Sequence, residues 1–152
     1  MRSVFLSIGS NVHPEKNVPA CLQLLKENFC LKQVSSIYET EPVGPAGDKH
    51  FWNLAVEIET PLSPKDFLSA LRTIEEKLGR ERSPENKFMP RTIDLDILPL
   101  PDYEKHAFIM VPLAEIAPGE RDEKSGKTFR EIATPLAEKM EGIKKVKPSA
   151  LS

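Results

Sequence analysis

The chain contains the stretch Arg91-Thr92-Ile93-Asp94-Leu95-Asp96-Ile97-Leu98, in which two carboxylates lie two residues apart within a run of branched aliphatic residues. Successive side chains of a β-strand point to opposite faces of the sheet. Asp94 and Asp96 are therefore expected on one face, while Ile93, Leu95 and Ile97 point into a core. This stretch predicts a strand that is buried on one side and carries an acidic pair on the other.

Two neighbouring carboxylates repel each other, and a divalent cation with oxygen ligands removes that repulsion. Mg²⁺ commonly binds one or two carboxylates and completes its octahedron with water and substrate phosphates. The pair formed by Asp94 and Asp96 therefore suggests nucleotide chemistry. An ordinary strand with a solvated polar face is the open alternative, because a bare D-x-D pattern is weakly specific.

The segment from Gly79 to Arg91 precedes this strand and reads as a basic loop. It contains few apolar residues, four basic residues and two prolines. Guanidinium groups can bind two phosphate oxygens at once, and a loop can bring them over a triphosphate after it binds. A solvated connector is the alternative for the loop alone. Beside the paired aspartates, phosphate binding is the favoured interpretation.

Strand and helix patterns alternate along the chain. They predict a β-α-β-β-α-β arrangement, an α+β sandwich of the ferredoxin-like kind with a mostly antiparallel sheet, helices on one face and a C-terminal helical extension. The predicted strands are 3–9, 31–40 and 51–60, together with the strand that carries Asp94, and the predicted helices are 14–29, 63–78 and 128–141.

This architecture makes a geometric prediction about strand 51–60. If the helices cover the face that carries Trp52 and Leu54, then Phe51 and Asn53 lie with the aspartates on the opposite, open face. A carboxamide suits the amide-like edge of a heterocycle, and an aromatic ring can stack on its flat surface. A solvated strand residue and an ordinary core aromatic are the alternatives for Asn53 and Phe51.

Composition sets broad limits on the class of protein. The chain has 152 residues, a net charge of −2 and 29% charged residues, which fits one domain and gives no broad basic surface for nucleic acid. The two cysteines, Cys21 and Cys30, are not in metal-ligand spacing and read as reduced thiols. No apolar run has membrane length. We therefore expect a cytoplasmic protein with no membrane or nucleic-acid partner.

The sequence resembles the 6-hydroxymethyl-7,8-dihydropterin pyrophosphokinase family of folate biosynthesis. The residues that carry the resemblance occur in the family's order and cover most of residues 3–118. They are Phe5-Leu6-Ser7-Ile8-Gly9-Ser10-Asn11, Ser36-Ile37-Tyr38-Glu39-Thr40-Glu41-Pro42-Val43-Gly44, Phe51-Trp52-Asn53-Leu54-Ala55-Val56, Ile74-Glu75-Glu76-Lys77-Leu78-Gly79-Arg80, Pro90-Arg91-Thr92-Ile93-Asp94-Leu95-Asp96-Ile97-Leu98 and Pro112-Leu113-Ala114-Glu115-Ile116-Ala117-Pro118.

The resemblance implies transfer of the β,γ-diphosphoryl group of ATP to the hydroxymethyl oxygen of the pterin, with release of AMP, by a monomer acting on small molecules. It implies that Asp94 and Asp96 hold two Mg²⁺ ions. The implied pterin-binding residues are Thr40, Val43, Phe51, Asn53 and Phe108. The implied nucleotide-binding residues are Glu75, Arg80, Arg82, Arg91 and Ile97, of which Arg82 and Arg91 are also expected to be catalytic. We assign no general base.

We expect residues 1–142 to form one domain and residues 143–152 a flexible tail. The chain departs from the family at two places. Met89 stands where the family usually has Gly or Ala, and the segment 99–111 is shorter than the family's and lacks its His-Tyr pair. Lys105 and His106 are partial substitutes, so we expect weak binding of ATP.

Two rival functions remain open at this stage. The first is a metal-dependent transferase that uses the D-x-D pair on a nucleotide sugar or in nucleotidyl transfer. The second is a non-enzymatic descendant that keeps the pterin pocket as a binding module, which the shortened segment 99–111 favours.

Overall fold

One antiparallel sheet organises the part of the chain that the computed structural model describes, namely residues 2–40, 51–79, 93–139 and 144–145. The strand order is β5-β1-β4-β3-β6, and β2 also pairs with β4. The strands are β1 (Arg2–Ser10), β2 (Cys30–Val34), β3 (Tyr38–Thr40), β4 (Phe51–Thr60), β5 (Asp94–Ile97) and β6 (Lys144–Lys145). The α-helices are α1 (Pro14–Asn28), α2 (Pro64–Lys77), α3 (Ala107–Ile116) and α4 (Phe129–Lys139).

The order β5-β1-β4-β3 confirms the predicted ferredoxin-like α+β sandwich. Each pair of neighbours is antiparallel, and α1 and α2 connect strands that are separated by a third strand. Strand β4 and helix α2 lie where the sequence predicts them. Ser63 caps α2, since its hydroxyl accepts a hydrogen bond from the Asp66 amide at 3.2 Å.

The predicted single strand 31–40 is wrong in one respect, because the structure divides it into β2 and β3. Ser35 lies at the break and stays attached to β4. Its amide donates to the carbonyl of Ala55 at 2.9 Å, and its hydroxyl accepts from the amide of Ala55 at 2.8 Å. A serine side chain that takes the place of a backbone acceptor competes with the regular ladder. This local competition explains the interruption.

The helices α1 and α2 cover one face of the sheet and enclose the main core. Among the core residues, Leu6, Ile8, Leu54, Ile93 and Leu95 have no exposed surface. Because alternate residues of a strand share a face, Phe5, Ser7 and Gly9 of β1 lie on the opposite side. The face prediction for Trp52, Leu54, Ile93 and Leu95 is therefore confirmed.

The opposite face is not open along its whole length, because α3 and α4 cover part of it. Ala55 packs there with Met110, Leu113 and Phe129 in a second apolar cluster. Helix α3 is not among the helices predicted from the sequence. The helix is apolar on nearly every side and contains Pro112, so it shows neither an amphipathic pattern nor the usual helix composition.

Strand β6 was not anticipated either, since residues 143–152 are expected to be a tail. Lys144 and Lys145 pair with Glu39 and Tyr38 of β3.

Candidate active site

Strand β5 presents its two carboxylates on the face of the sheet that α1 and α2 do not cover. Asp94 is the cross-strand partner of Gly9, and Asp96 is the partner of Ser7. Both aspartates are half-buried. The prediction that Asp94 and Asp96 share one face is confirmed, and the residue between them, Leu95, is fully buried on the other face.

Asn53 lies in the same transverse row as Asp94. Gly9 pairs with Asp94 on one side and with Asn53 of β4 on the other, so these three residues cross three adjacent strands. Strands lie about 4.8 Å apart, which places the outer two backbones roughly 10 Å from each other. This spacing is suitable for a small molecule that contacts both side chains.

Glycine at position 9 leaves room for the Asn53 carboxamide. A Cβ atom added to Gly9 would lie 3.1 Å from the Asn53 Oδ1 atom, a tighter approach than such atoms normally make. Asn53 is itself buried, with 5% of its surface exposed. The amide therefore extends over β1, in the direction of the acidic pair. Phe51 shares the face of Asn53 and is half-buried.

The acidic pair carries an electrostatic cost. Burial raises the pKa of Asp96 to about 6, and the charge of Asp94 and a hydrogen bond with it add to the rise. The Arg72 guanidinium acts in the opposite direction, and the Glu75 carboxylate increases the pKa further. Like charges held close together make ionisation harder. A cation bound at this pair would relieve that cost.

An ion pair on α2, with Glu75 buried and Arg72 half-buried, contacts the backbone of β5 between the aspartates. Arg72 Nη1 donates to Glu75 Oε1 at 2.8 Å and to the carbonyl of Leu95 at 3.0 Å. Glu75 Oε2 accepts from the amide of Leu95 at 2.8 Å. The nucleotide role predicted for Glu75 stays a prediction, and Arg72 was not among the predicted site residues. The available signal was the Arg-Glu spacing of three residues beside the buried stripe of α2.

Phe108 lies in the first turn of α3, on the side of the sheet that carries Asn53. Its ring is 5.1 Å from the ring of His106, and it packs partly against the second apolar cluster. Lys105 belongs to the shortened segment and was expected to replace part of the missing His-Tyr contacts. Its Nζ atom lies 3.4 Å from Oδ1 of Asp102, and both side chains are exposed.

The C-terminal end of α3 is tied to the sheet by Glu115. Its carboxylate accepts hydrogen bonds from the Tyr38 hydroxyl at 2.5 Å and from the amide and hydroxyl of Ser36 at 2.7 Å and 3.0 Å. Burial alone would raise the pKa of Glu115, but these bonds outweigh it and hold that pKa below its usual range. Because Tyr38 is the cross-strand partner of Asn53, this network borders the candidate site.

Several predicted site residues lie outside the described residues. These are Val43, Arg80, Arg82 and Arg91, and for Thr40 only the backbone is described, as the end of β3. Ile97 is half-buried and packs against the main core. The assigned roles of all these residues stay predictions.

Within the described ranges, no group of three or more His, Cys, Asp or Glu side chains is placed to hold a metal ion. Asp94 and Asp96 offer two carboxylates, which fits an ion that takes its remaining ligands from substrate phosphates and water. The donor set thus suits Mg²⁺ bound together with a nucleotide.

Other features of the described part lie apart from this pair. A cavity of about 430 Å³ lies between the segment 98–104, which follows β5, and the turn 120–124. Neither Asp94 nor Asp96 lines this cavity. Both cysteines are free, and burial raises the pKa of Cys21 to about 12. The described helices include none that is long and apolar enough to span a bilayer.

Comparisons of the sequence with a family model and with known proteins agree on one family. Residues 5–118 match the family model described as 7,8-dihydro-6-hydroxymethylpterin-pyrophosphokinase (HPPK). A 2-amino-4-hydroxy-6-hydroxymethyldihydropteridine pyrophosphokinase of Bacillus subtilis is 37% identical, with 84% of this chain and 86% of that protein covered. The Pseudomonas aeruginosa protein of the same name is 34% identical, with 80% and 84% covered.

A solved structure shows the same fold. It is Plasmodium falciparum HPPK-DHPS wild type with SDX-DHP, which superimposes with a TM-score of 0.74 and covers 95% of this chain. This chain corresponds to 47% of that longer one, and the two are 14% identical.

Proposed function

Because the chain belongs to the 7,8-dihydro-6-hydroxymethylpterin-pyrophosphokinase family, we propose that the sheet face with Asn53, Asp94 and Asp96 is the active site of this pyrophosphokinase of folate biosynthesis. The transverse row that joins Asp94, Gly9 and Asn53 is the observation that carries the proposal. It places an acidic pair and a buried carboxamide on one surface, within reach of one small molecule.

The proposed reaction moves the β,γ-diphosphoryl group of ATP to the pterin. The hydroxymethyl oxygen of the pterin forms a bond to the β-phosphorus and releases its proton to solvent, and the bond from that phosphorus to the α,β-bridging oxygen breaks, so AMP leaves. Phosphoryl transfer of this kind needs little covalent help from the protein. Positioning and charge stabilisation by the chain therefore supply most of the rate.

We assign the chain's residues to these tasks as follows. Asn53 pairs with the amide-like edge of the pterin, and Phe51 and Phe108 stack on its ring. Asp94 and Asp96 would hold two Mg²⁺ ions, which neutralise phosphate charge when bound. Arg82 and Arg91 would balance the charge that develops on the departing phosphate.

The remaining assignments are narrower. Thr40 and Val43 would line the pterin pocket through backbone groups, and Arg80 and Ile97 would contact ATP. We further propose that the protein acts as a cytoplasmic monomer without a nucleic-acid partner. The family match does not favour a nucleotide-sugar transferase.

One assay tests the proposed function. Purified protein is incubated with ATP, Mg²⁺ and 6-hydroxymethyl-7,8-dihydropterin, and AMP is measured. We expect AMP to form in equal amount to pterin diphosphate and only when the pterin is present. Pterin binding without AMP release would instead identify the non-enzymatic module. AMP production independent of the pterin would contradict the assigned substrate.

A further inference from the structure

Arg72 and Glu75 hold both backbone polar groups of the residue between the two aspartates. The guanidinium of Arg72 donates to the carbonyl of Leu95, and the carboxylate of Glu75 accepts from its amide. The ion pair between Arg72 and Glu75, at 2.8 Å, closes the arrangement. The three residues form a ring of hydrogen bonds that links α2 to β5.

The contact is made at the outer edge of β5. Among the described strands β5 is the last in the sheet, with β1 as its only paired neighbour. In an antiparallel pair the backbone groups of alternate residues point toward and away from the partner. The amide and carbonyl of Leu95 point away from β1, toward α2. Strand β5 has four residues, and the backbone groups on the outer side of an edge strand have no neighbouring strand to pair with.

Burial indicates that Glu75 acts on the chain itself. The side chain of Glu75 is 1% exposed, and its oxygens accept hydrogen bonds from Arg72 and Leu95. A buried carboxylate is tolerated when it is paired and hydrogen-bonded. Glu75 lies on α2, which covers the face of the sheet opposite the aspartates, and it contacts β5 at the backbone of Leu95.

We propose that Arg72 and Glu75 are positioning residues that fix the edge of β5 and so hold the Asp94 and Asp96 carboxylates in metal-binding geometry. The inference rests on the proposed function, because it assumes that the two aspartates bind Mg²⁺. A small displacement of ligands can greatly weaken a site, and the residues behind the ligands normally prevent it. Here the ion pair acts through the backbone of Leu95.

The first experiment measures amide hydrogen exchange at Leu95 by NMR, in the protein without ligands. Glu75→Gln keeps the size of the side chain but loses the charge that pairs with Arg72, so it tests the bond with the least risk to folding. We expect exchange at Leu95 about tenfold faster, because a neutral amide oxygen accepts a weaker hydrogen bond than a carboxylate and the amide NH2 group cannot accept one. Glu76→Gln, at the exposed next position, is the matched control and should leave that rate unchanged.

The second experiment measures binding of Mn²⁺, as a spectroscopic substitute for Mg²⁺, by electron paramagnetic resonance with a non-hydrolysable ATP analogue. We expect Glu75→Gln to weaken Mn²⁺ binding about tenfold, and the pterin Kd to stay within about twofold. The double variant Arg72→Met with Glu75→Met leaves no uncompensated charge, so it should fold, with its thermal stability lowered by the two lost bonds to Leu95. It should also show fast Leu95 exchange and weak Mn²⁺ binding.

The outcomes separate this inference from the proposed function. Unchanged Leu95 exchange in Glu75→Gln overturns the inference, as does Mn²⁺ binding equal to that of the wild type. An equal loss of pterin and Mn²⁺ binding also overturns it, because it indicates general damage. Failure of the wild type to bind Mn²⁺ would instead overturn the metal assignment, and with it this inference.

Discussion

The two faces of strand β5 differ in burial and in charge, although their residues alternate along the same short stretch of chain. On the helix side, Ile93 and Leu95 have no exposed surface and join the main core. On the other side, Asp94 and Asp96 are half-buried, and the pKa of Asp96 is raised to about 6 by burial and by Asp94. One face stabilises the fold, whereas the other keeps two repelling groups close together.

This difference indicates that apolar burial on one face of β5 offsets the repulsion between the two aspartates on the other face. A strand that carried only the repelling pair would gain little free energy by packing in the sheet. The apolar residues on the reverse face supply this free energy, since the burial of each side chain stabilises the fold by about 2 to 3 kcal/mol. The bonds from Arg72 and Glu75 to Leu95 add to it. Substitutions on the two faces should therefore have opposite consequences for activity and stability.

The largest effect is expected on the acidic face. Asp94→Ala or Asp96→Ala should lower kcat roughly 1000-fold or more, which is about 4 kcal/mol of transition-state stabilisation. The unfolding free energy should stay equal or rise, because the repulsion is removed. The AMP assay and thermal melts measure the two quantities. Glu138→Ala, at an exposed carboxylate of α4, is the control and should change neither. Normal turnover in either variant would refute the metal assignment.

The reverse face should show the opposite pattern. Ile93→Ala removes a fully buried side chain next to Asp94, and we expect the unfolding free energy to fall by about 3 kcal/mol. Denaturant titration measures this loss. Val34→Ala, at a side chain with 42% exposure, should cost less than about 0.5 kcal/mol. Turnover of folded Ile93→Ala should fall less than in the aspartate variants, and a larger fall would show that the two faces are not separable.

An intermediate effect is expected at Asn53, which lies across β1 from Asp94. Asn53→Ala should weaken pterin binding by about 1 to 3 kcal/mol, because the polar edge of the ligand loses its partner. Phe51→Ala should act in the same direction through lost stacking. Binding of ATP should change much less, so fluorescence and calorimetry on the two ligands give a direct contrast. Asn28→Ala, an exposed asparagine at the end of α1, is the matched control. Equal losses for both ligands would contradict the separation of pterin and nucleotide contacts.

The features that sequence could predict are those that depend on local periodicity. The alternation around Asp94 predicts both faces of β5 correctly, and the cap at Ser63 predicts the start of α2. Helix α3 was missed because burial against both the sheet and α4 makes it apolar on nearly all sides, so no periodic signal remains. The break between β2 and β3 depends on one serine bond across the sheet.

The role of Arg72 and Glu75 could not be predicted for a different reason. Their spacing along α2 is common in exposed helices, where such a pair has little effect on stability. Only the tertiary structure shows that the free edge of β5 lies beside them. The spacing therefore indicates that the two side chains can meet, but not which strand they contact.

The smallest expected effect concerns the pH dependence of stability, and it tests the electrostatic half of the comparison. The pKa of Asp96 is raised from 3.8 to about 6 in the folded protein, so its contribution to stability is present below pH 3.8 and is lost as the pH rises to about 6. Asp96→Asn removes this loss. Without metal, the variant should gain about 1 kcal/mol over the wild type at pH 8 and little at pH 4, the gain being reduced because solvent screens a half-exposed group. Thermal melts in chelator at both pH values measure it, with Glu138→Gln, at an exposed carboxylate of α4, as the control. Added Mg²⁺ with ATP should stabilise the wild type more at pH 8 than at pH 5, since the metal competes with a proton for Asp96. If Asp96→Asn gained the same stability over the wild type at both pH values, the raised pKa of Asp96 would not be the cause of the gain.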